Sequence, residues 1–295
     1  MEKHAYCLLV HNEADLFCRL VRILDDVRND MFVHVDRKTD ITPFLQARCM
    51  HSSLHFTQER IDCRWGTLSL VKAELLLFRE ARSHGPYACY HLLSGQDFPI
   101  KSQDYIHNFT ENHPGVNYIG YVDESRTACI PERTELYHFL IHRPGVSFKG
   151  TVFTRLRKAF LTIQRRLHIH REYPFPIRKG AQWVSISDDF CAYLLERSAD
   201  ILRLFKRTYC PDEMVVQSLF ASSPFAGMQY RPEGGEYEQC LREIDWDRGN
   251  PYTWTEDDYP FLMASDKWFA RKVSSTHTGL LDQISAGLRA NGSDA

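Results

Sequence analysis

Three short polar clusters follow apolar runs in this sequence, and their side chains are of the kinds that bind nucleotides and sugars. They are His11-Asn12, Asp36-Arg37-Lys38 and Ser94-Gly95-Gln96-Asp97. In a parallel sheet covered by helices, ligands bind at the carboxyl ends of the strands. The first two clusters would then lie side by side, with Asp36 placed to accept hydrogen bonds from a ribose or a uracil. Capping of the following turn explains Asp36 equally well, so both interpretations stand here.

The elements that must position these clusters alternate between strand and helix along the chain. Continuous apolar runs predict strands over residues 5–10, 31–35, 88–93 and 182–186. Apolar residues three and four apart predict helices, as at Phe17, Leu20, Val21 and Leu24, at Leu68, Val71, Leu75 and Phe78, and over residues 188–196. This order predicts an α/β fold, a single domain over residues 1–289 with a mostly parallel central sheet flanked by helices. Residues 290–295 are predicted to form a disordered tail.

Composition limits the classes of protein and partner. The 295 residues carry a formal net charge of -2, which gives no reason to expect a nucleic-acid partner. No segment reaches the roughly 20 apolar residues of a membrane span, and the run at residues 5–10 is too short for a signal peptide. The nine cysteines lack zinc-ligand spacing. Their odd number, with no export signal found, predicts reduced thiols, and Cys7, Cys89 and Cys191 are expected in the core. We therefore expect a soluble cytoplasmic protein.

Seven segments, in order along nearly the whole chain, carry a family resemblance. They are AYCLLVHN (5–12), FVHVDRK (32–38), RWGTLSLVKAE (64–74), LLSGQDFPIK (92–101), KGAQW (179–183), CPDE (210–213) and FARK (269–272). Together they resemble the Core-2/I-branching β-1,6-N-acetylglucosaminyltransferase family, which includes the protein xylosyltransferases. With no export signal found, the chain resembles a soluble member of bacterial type that would help to assemble a surface glycan.

This resemblance implies a GT-A-like fold and inverting transfer from a UDP-sugar to a glycan or glycolipid acceptor. N-acetylglucosamine is the donor sugar that it favours, and transfer of xylose or a hexose by the same mechanism stays open. A catalytically inactive sugar-binding module on the same scaffold is the alternative from another class. The resemblance also implies that neither a metal ion nor another cofactor is needed.

Fixed cations would then do the electrostatic work of a metal ion on the leaving diphosphate. The pattern of the family places them at Arg242 and Lys272, with Arg271 as the neighbouring alternative. Without the resemblance, these residues would be interpreted as solvated basic side chains near a C-terminal helix.

The sequence itself agrees with metal independence at one position. After the second predicted strand it reads Asp36-Arg37-Lys38, with a cation where an Asp-x-Asp motif has its second acid. Asp245, Asp247, Asp257 and Asp258 lie in a turn-rich segment and are expected to be surface acids.

The resemblance assigns the catalytic base to Glu213, the residue that follows Pro211-Asp212. Their position at the strand ends makes His11 and Asp36 the predicted nucleoside contacts. Pro211 is compatible with a helix start, which would place Glu213 in the first turn and favour its ionised form. An ionised carboxylate can take the proton of an acceptor hydroxyl. On the sequence alone, favourable interaction of both acids with the helix dipole explains them as well.

Three further residues are candidates for binding the acceptor. Trp65 and Trp183 could stack on sugars, and either could equally belong to the core. Asp97 is expected in a tight loop after a buried strand, where it either binds the acceptor or braces that loop.

One segment departs from the pattern of a plain catalytic domain. Residues 149–179 contain nine Lys or Arg and a single acid, Glu172. The apolar residues follow one stripe, Phe153, Leu156, Phe160, Ile163 and Leu167, while the cations outside it include Arg155, Lys158, Arg165 and Arg166. This pattern predicts a basic amphipathic helix. It fits a helix lying on the inner face of an anionic membrane. It equally fits a lid packed on the enzyme with a solvated outer face.

Overall fold

The computed structural model describes residues 2–139, 141 and 148–292. Its strands are β1 (His4–Val10), β2 (Asn29–Val35), β3 (Ser53–Phe56), β4 (Cys89–Ser94), β5 (Asp97–Pro99), β6 (Ser185–Ile186), β7 (Arg242–Ile244) and β8 (Phe269–Arg271). Five of them form the central sheet in the order β3-β2-β1-β4-β6. The first four are parallel, and β6 pairs antiparallel with β4 at the edge. The predicted α/β fold with a mostly parallel sheet is confirmed.

Helices cover both faces of this sheet. They are α1 (Ala14–Leu24), α2 (Ser69–Ser83), α3 (Gln103–Glu111), α4 (Ile130–Thr134), α5 (Phe148–Arg166), α6 (Asp188–Glu196), α7 (Ser198–Leu204), α8 (Val215–Ala221), α9 (Glu236–Gln239), α10 (Tyr259–Ala264) and α11 (Thr278–Gly292). The predicted helix over 188–196 is confirmed at both ends. α11 continues into the segment predicted as a tail, and residues 293–295 lie outside the described residues.

The central strand β1 is apolar throughout because both of its faces are covered. Alternate side chains enter two different cores, since successive residues of a strand point to opposite faces. Tyr6 and Leu8 pack with α1 and α11 on one side, and Cys7 and Leu9 pack with α2 and α6 on the other. Cys7, Cys89 and Cys191 are buried as predicted, and every cysteine of the chain is a free thiol.

The register of the strands brings the predicted polar clusters to one edge of the sheet. Val10 lies opposite Val35, and Leu9 lies opposite Ser94. The chain therefore leaves the three strands at the same level, at His11, Asp36 and Gly95, which places these residues side by side at one edge of the sheet.

A second sheet, which sequence reasoning did not predict, closes this edge. It has the order β5-β8-β7, with β5 antiparallel and β7 parallel to β8. Each of its strands has three residues, too few for an alternating pattern to be recognised. Asp97 of β5 lies opposite Arg271 of β8, so this sheet joins the third polar cluster to the FARK segment.

The basic segment is helical over only part of its predicted length. α5 ends at Arg166, and the chain from 167 to 184 has no regular helix or strand. Among the residues that the structure describes, no helix is long and apolar enough to cross a bilayer.

Candidate functional site

The loops after β1, β2 and β4 are tied to each other by backbone hydrogen bonds. Asp36 N donates to the carbonyl of Val10 at 2.9 Å, and Gly95 N donates to that of Leu9 at 3.0 Å. The Thr39 hydroxyl donates to the carbonyl of His11 at 2.9 Å. A side chain at Gly95 would bring its Cβ to 3.1 Å from a methyl group of Val10. The close approach of these loops therefore favours glycine at position 95.

The carboxylate of Asp36 is buried at this edge and is paired with Lys38. The Lys38 ammonium lies 2.8 Å from Oδ2 and 2.9 Å from Oδ1, and it also binds Asp62 at 2.8 Å. The Lys38 amide donates to the same carboxylate at 2.9 Å, so Asp36 does cap its turn. The cation after Asp36 thus neutralises the acid. Contact of Asp36 with a nucleoside stays a prediction.

Arg271 lies in the wall of the cleft and is held on three sides. Its guanidinium pairs with Asp97 at 3.0 Å, donates to the Ser94 hydroxyl, and rests 4.2 Å from the ring centre of Trp183. The next residue, Lys272, is fixed through its backbone, which bonds to Tyr252 and Trp254. Lys272 therefore emerges from a rigid strand end.

The electrostatic environment of His11 links the two sheets. Desolvation lowers the pKa of its imidazole, and the cations Lys272, Arg271 and Lys38 also lower it. The carboxylate of Asp36 acts in the opposite direction. His11, Asp36 and Lys272, which are far apart in the sequence, thus belong to one charged neighbourhood.

Glu213 lies in a short 3-10 turn, Pro211–Glu213, directly before α8. Its Oε2 is 2.7 Å from Arg133 and 3.3 Å from Lys179. Its Oε1 has no hydrogen-bond partner among the described residues, and the side chain is 34% exposed. Two cations therefore hold the carboxylate through one oxygen, and the other oxygen is unpaired among the described residues.

Sequence reasoning missed both cations. Arg133 lies in α4, outside every segment of the family resemblance. Lys179 is the first residue of the KGAQW segment. Its place as a cation within a segment of the resemblance was the available signal that it belongs to the site.

Next to Glu213, two carboxyl groups are buried without a cation in direct contact. Desolvation and the neighbouring Glu213 raise the pKa of Asp212 to about 7. Burial also raises the pKa of Glu74, which accepts a hydrogen bond from Gln182 at 2.6 Å. Glu74 lies in the apolar stripe of α2, where a lone acid was the signal that sequence reasoning did not use.

We expect Asp212→Asn to stabilise the protein at alkaline pH and to have less effect at acid pH. The ordinary pKa of 3.8 is raised to about 7 in the folded state. The folded state therefore holds an extra proton between these values, and stability falls as pH rises through them, by about 1.4 kcal/mol per unit at most. Urea unfolding of both proteins at about pH 5 and about pH 8 measures the effect. The exposed Asp257→Asn is the control, and an equal Asp212→Asn effect at both pH values would contradict the expectation.

Residues 179–186 connect the Glu213 side of the cleft with the Arg271 side. Gly180 N donates to the carbonyl of Glu213 at 2.9 Å, and Trp183 lies under Arg271. A Cβ at Gly180 would lie 1.8 Å from the carbonyl oxygen of Gly120, which no side chain could tolerate. This close packing explains the glycine and fixes both sides of the cleft relative to each other.

The structure does not bring Arg242 to the cleft, so its predicted contact with a diphosphate needs correction. Arg242 is 0% exposed. Its guanidinium donates to the carbonyls of Cys240 and Val184 and to the Ser185 hydroxyl. The reason is strand geometry, because Arg242 begins β7 and points into the protein, where it joins β7 to β6.

The three predicted acceptor residues lie in different environments. Asp97 is 0% exposed and binds Arg271 and the Ser94 amide, so it braces the loop, the second of its two predicted roles. Trp183 is buried in the core under Arg271. Trp65 is 45% exposed and meets Tyr209 edge-to-face at 5.6 Å. Tyr209 also contacts Arg133, the partner of Glu213, so Trp65 alone of the three combines exposure with a link to Glu213.

Two of the four acids of the turn-rich segment, Asp245 and Asp258, pair with a cation, and Asp258 is buried rather than a surface acid as expected. Arg248 binds Asp245 at 2.5 Å and Asp258 at 2.8 Å. Within the described residues, no cluster of three His, Cys, Asp or Glu side chains could hold a metal ion. Metal independence stays a prediction.

Residues 4–260 match the family model described as Core-2/I-branching enzyme. The xylosyltransferase oxt of Drosophila melanogaster is 21% identical over 280 residues, which cover 86% of this chain and 30% of that protein. The N-acetyllactosaminide β-1,6-N-acetylglucosaminyltransferase of Mus musculus is 22% identical over 263 residues, covering 82% and 58%. The chain thus spans well under two thirds of either relative. The apo crystal structure of mouse xyloside xylosyltransferase 1 superposes with a TM-score of 0.37 at 10% identity, covering 90% of this chain and 97% of that one.

Proposed function

Because this chain belongs to the Core-2/I-branching enzyme family, we propose that it is an inverting, metal-independent glycosyltransferase. It moves a sugar, N-acetylglucosamine in our proposal, from a UDP-sugar to a hydroxyl group of a glycan acceptor. The α/β architecture with its strand-end cleft agrees with the GT-A-like fold that the sequence resemblance implies.

The geometry of Glu213 carries this proposal. Inverting transfer needs one carboxylate beside the acceptor hydroxyl. Arg133 and Lys179 hold Oε2 of Glu213, which fixes the direction of Oε1. The acceptor hydroxyl gives its proton to Oε1 while its oxygen forms a bond to C1 of the donor sugar. The bond from C1 to the diphosphate breaks on the opposite side, and UDP leaves with the electron pair.

The leaving diphosphate is stabilised by Lys272, with Arg271 behind it. Arg271 is partly neutralised by its ion pair with Asp97, and Lys272 is the next residue along the chain. A fixed cation in a partly dry cleft needs no reorganisation as charge develops on the leaving oxygen. The ion pair between Lys38 and Asp36 supports the same proposal, because Lys38 neutralises the carboxylate that a metal ion would need as a ligand.

The nucleoside lies at the ends of β1 and β2. Since the pKa of His11 is lowered, its imidazole is neutral at physiological pH and can both donate and accept a hydrogen bond. Asp36 offers a carboxylate beside it. These two residues are our proposed contacts for the uracil and the ribose.

The identity of the donor sugar is the most specific part of the proposal. Relatives named as a xylosyltransferase and as an N-acetylglucosaminyltransferase both match this chain. Transfer of xylose is therefore the second candidate. An inactive binding module would bind UDP-sugars without releasing UDP when an acceptor is added.

We expect UDP and UDP-N-acetylglucosamine to raise the melting temperature, because a ligand that binds only the folded state stabilises it. At a concentration of about 100 times Kd the gain is about 2.7 kcal/mol. A thermal-shift series with UDP-N-acetylglucosamine, UDP-xylose, UDP-glucose and GDP-mannose ranks the donors, and GDP-mannose is the control for the base. If no uridine nucleotide shifts the melting temperature while GDP-mannose does, the proposed donor class is wrong.

A further inference from the structure

Helix α5 is attached to the rest of the protein along one face. Leu161 and Gln164 are buried there, and the Gln164 amide bonds to both backbone groups of Tyr137 at 2.8 Å. The Phe160 ring packs on Phe139 at 5.0 Å. These contacts fix the orientation of the helix and therefore define its outer face.

The outer face of α5 continues as an apolar stripe that nothing in the described structure covers. Val152, Leu156, Ile163 and Leu167 are 41%, 51%, 53% and 64% exposed. Their spacing of four, seven and four residues places them on one side of the helix. The predicted stripe is therefore divided, with Phe160 turned inward and these residues outward. A lid with a solvated outer face would carry polar residues here.

Cations border this stripe on one side. Arg155 and Arg166 are exposed along one border of it, Lys158 is exposed farther round the helix, and Arg165 forms a surface ion pair with Glu132. The only acid between residues 149 and 179 is Glu172, which lies beyond the helix. An exposed apolar stripe with a basic border and almost no acid is the pattern of a helix that lies in the interface of an anionic membrane.

A second cleft, called the basic cleft below, lies beside the helix. The cavity has a volume of about 830 Å³. Among the cations that line it, Lys72, Arg79, Lys206 and Arg207 form no ion pair with an acid of the described chain. Arg207 lies 4.2 Å from the ring centre of Phe139, the residue on which α5 packs. The cleft and the helix are therefore neighbours.

The helix also lies next to the Glu213 side of the site. Arg157 of α5 is 4.4 Å from the ring centre of Tyr209. Arg133 lies 5.6 Å from the same ring and binds Glu213. A surface bound by α5 would thus be close to the point where an acceptor hydroxyl must enter.

We propose that α5 docks this protein on the surface of an anionic phospholipid membrane. The apolar stripe enters the boundary between headgroups and acyl chains, while the flanking cations and the basic cleft face the phosphate groups. The docked protein presents the Glu213 side of its cleft to an acceptor carried by that membrane. This last point rests on the proposed function, whereas membrane docking does not.

Vesicle flotation tests the docking. Wild type is expected to bind vesicles of phosphatidylcholine mixed with an equal amount of phosphatidylglycerol, and not vesicles of phosphatidylcholine alone. Binding should weaken as salt is added, because salt screens exposed charges. The charge variant Arg155→Gln/Lys158→Gln/Arg166→Gln should lower partitioning by roughly a hundredfold, since each cation near such a surface contributes about a factor of five. The stripe variant Leu156→Ser/Ile163→Ser/Leu167→Ser should also lose binding.

A matched variant, Arg22→Gln/Arg48→Gln/Arg289→Gln, removes three exposed cations near the opposite face of the sheet and should bind as wild type does. The melting temperature and UDP affinity of all variants should match wild type, because no changed residue belongs to the proposed site.

The proposal is overturned if wild type does not bind anionic vesicles at low salt, or if the α5 variants bind them as strongly as wild type does. A concentration-dependent dimer that the stripe variant abolishes, without vesicle binding, would instead assign the stripe to a second copy. Vesicle binding without any transferase activity would leave docking intact and refute the proposed function.

Discussion

Replacing Glu213 by glutamine is expected to lower kcat by a factor of about 10²–10⁴, the usual contribution of a positioned general base. The amide keeps the shape of the side chain and an oxygen that can face the acceptor, but it cannot take the hydroxyl proton. Affinity for UDP should change little, because neither Glu213 nor its ion-pair partners, Arg133 and Lys179, are among the proposed UDP contacts. Steady-state rates of UDP release with acceptor, together with UDP binding by calorimetry, measure both quantities.

Two controls separate lost chemistry from a disturbed fold. The melting temperature of Glu213→Gln should be checked, because the change removes the ion pairs with Arg133 and Lys179. Asp257→Asn, a change of the same kind at an exposed acid, should leave kcat unaltered. Near-normal turnover of Glu213→Gln with a productive acceptor would remove Glu213 from the role of base.

The second large effect is expected at Lys272, where alanine should weaken UDP binding and slow turnover together. The same charge meets the diphosphate of the bound donor and the charge that grows on the leaving oxygen. Removing one such partner typically costs roughly 3–4 kcal/mol in the transition state, or about a hundred- to a thousandfold in kcat/KM. Titration with UDP and a rate measurement on the same preparation test both parts.

Uridine is the internal control, because it lacks the phosphates and its weaker binding should hardly change. Arg242→Met provides the matched protein variant. Arg242 is buried and bonded to backbone carbonyls, so its loss should lower the melting temperature and leave UDP affinity unaltered in the folded fraction. If Lys272→Ala binds UDP as wild type does and Arg242→Met does not, the assignment of the two cations must be reversed.

The sheet could be predicted because its strands are apolar on both faces and its turns are polar. Once the order of β1, β2 and β4 was known, the position of His11 next to Asp36 followed, since parallel strands of equal register end together. The short strands β5, β7 and β8 could not be predicted. Their three-residue lengths carry no pattern, and they form because the loop at Asp97 meets Arg271 in space.

Residues of the candidate site could be predicted where a motif fixes the position of the backbone. They could not be predicted where the direction of the side chain decides whether it reaches the site. Arg242 matched the motif, yet its place in β7 turns it into the core. Lys272 follows β8 by one residue and lies where its strand ends. Arg133 could not be found from the sequence, because it reaches Glu213 only after α4 has packed against the loop at Tyr209.

The basic segment shows the same division between pattern and packing. Its period predicted a helix with one apolar stripe. The contacts of Gln164 and Phe160 decide which of those residues face the protein. A hydrophobic pattern does not distinguish these two residues from their neighbours. The exposed remainder of the stripe is therefore a result of the fold.

The central claim is that side chains replace a metal ion at the leaving diphosphate, and the initial rate of acceptor-dependent UDP release in an excess of EDTA tests it most directly. The protein is expected to keep its full rate in EDTA, with no gain when Mn²⁺ is added, since in our proposal Lys272 and Arg271 supply the charge and Lys38 neutralises Asp36. Loss of all activity in EDTA, with recovery on addition of Mn²⁺, would contradict the claim and direct the search for metal ligands to Asp36, Asp245 and Asp247.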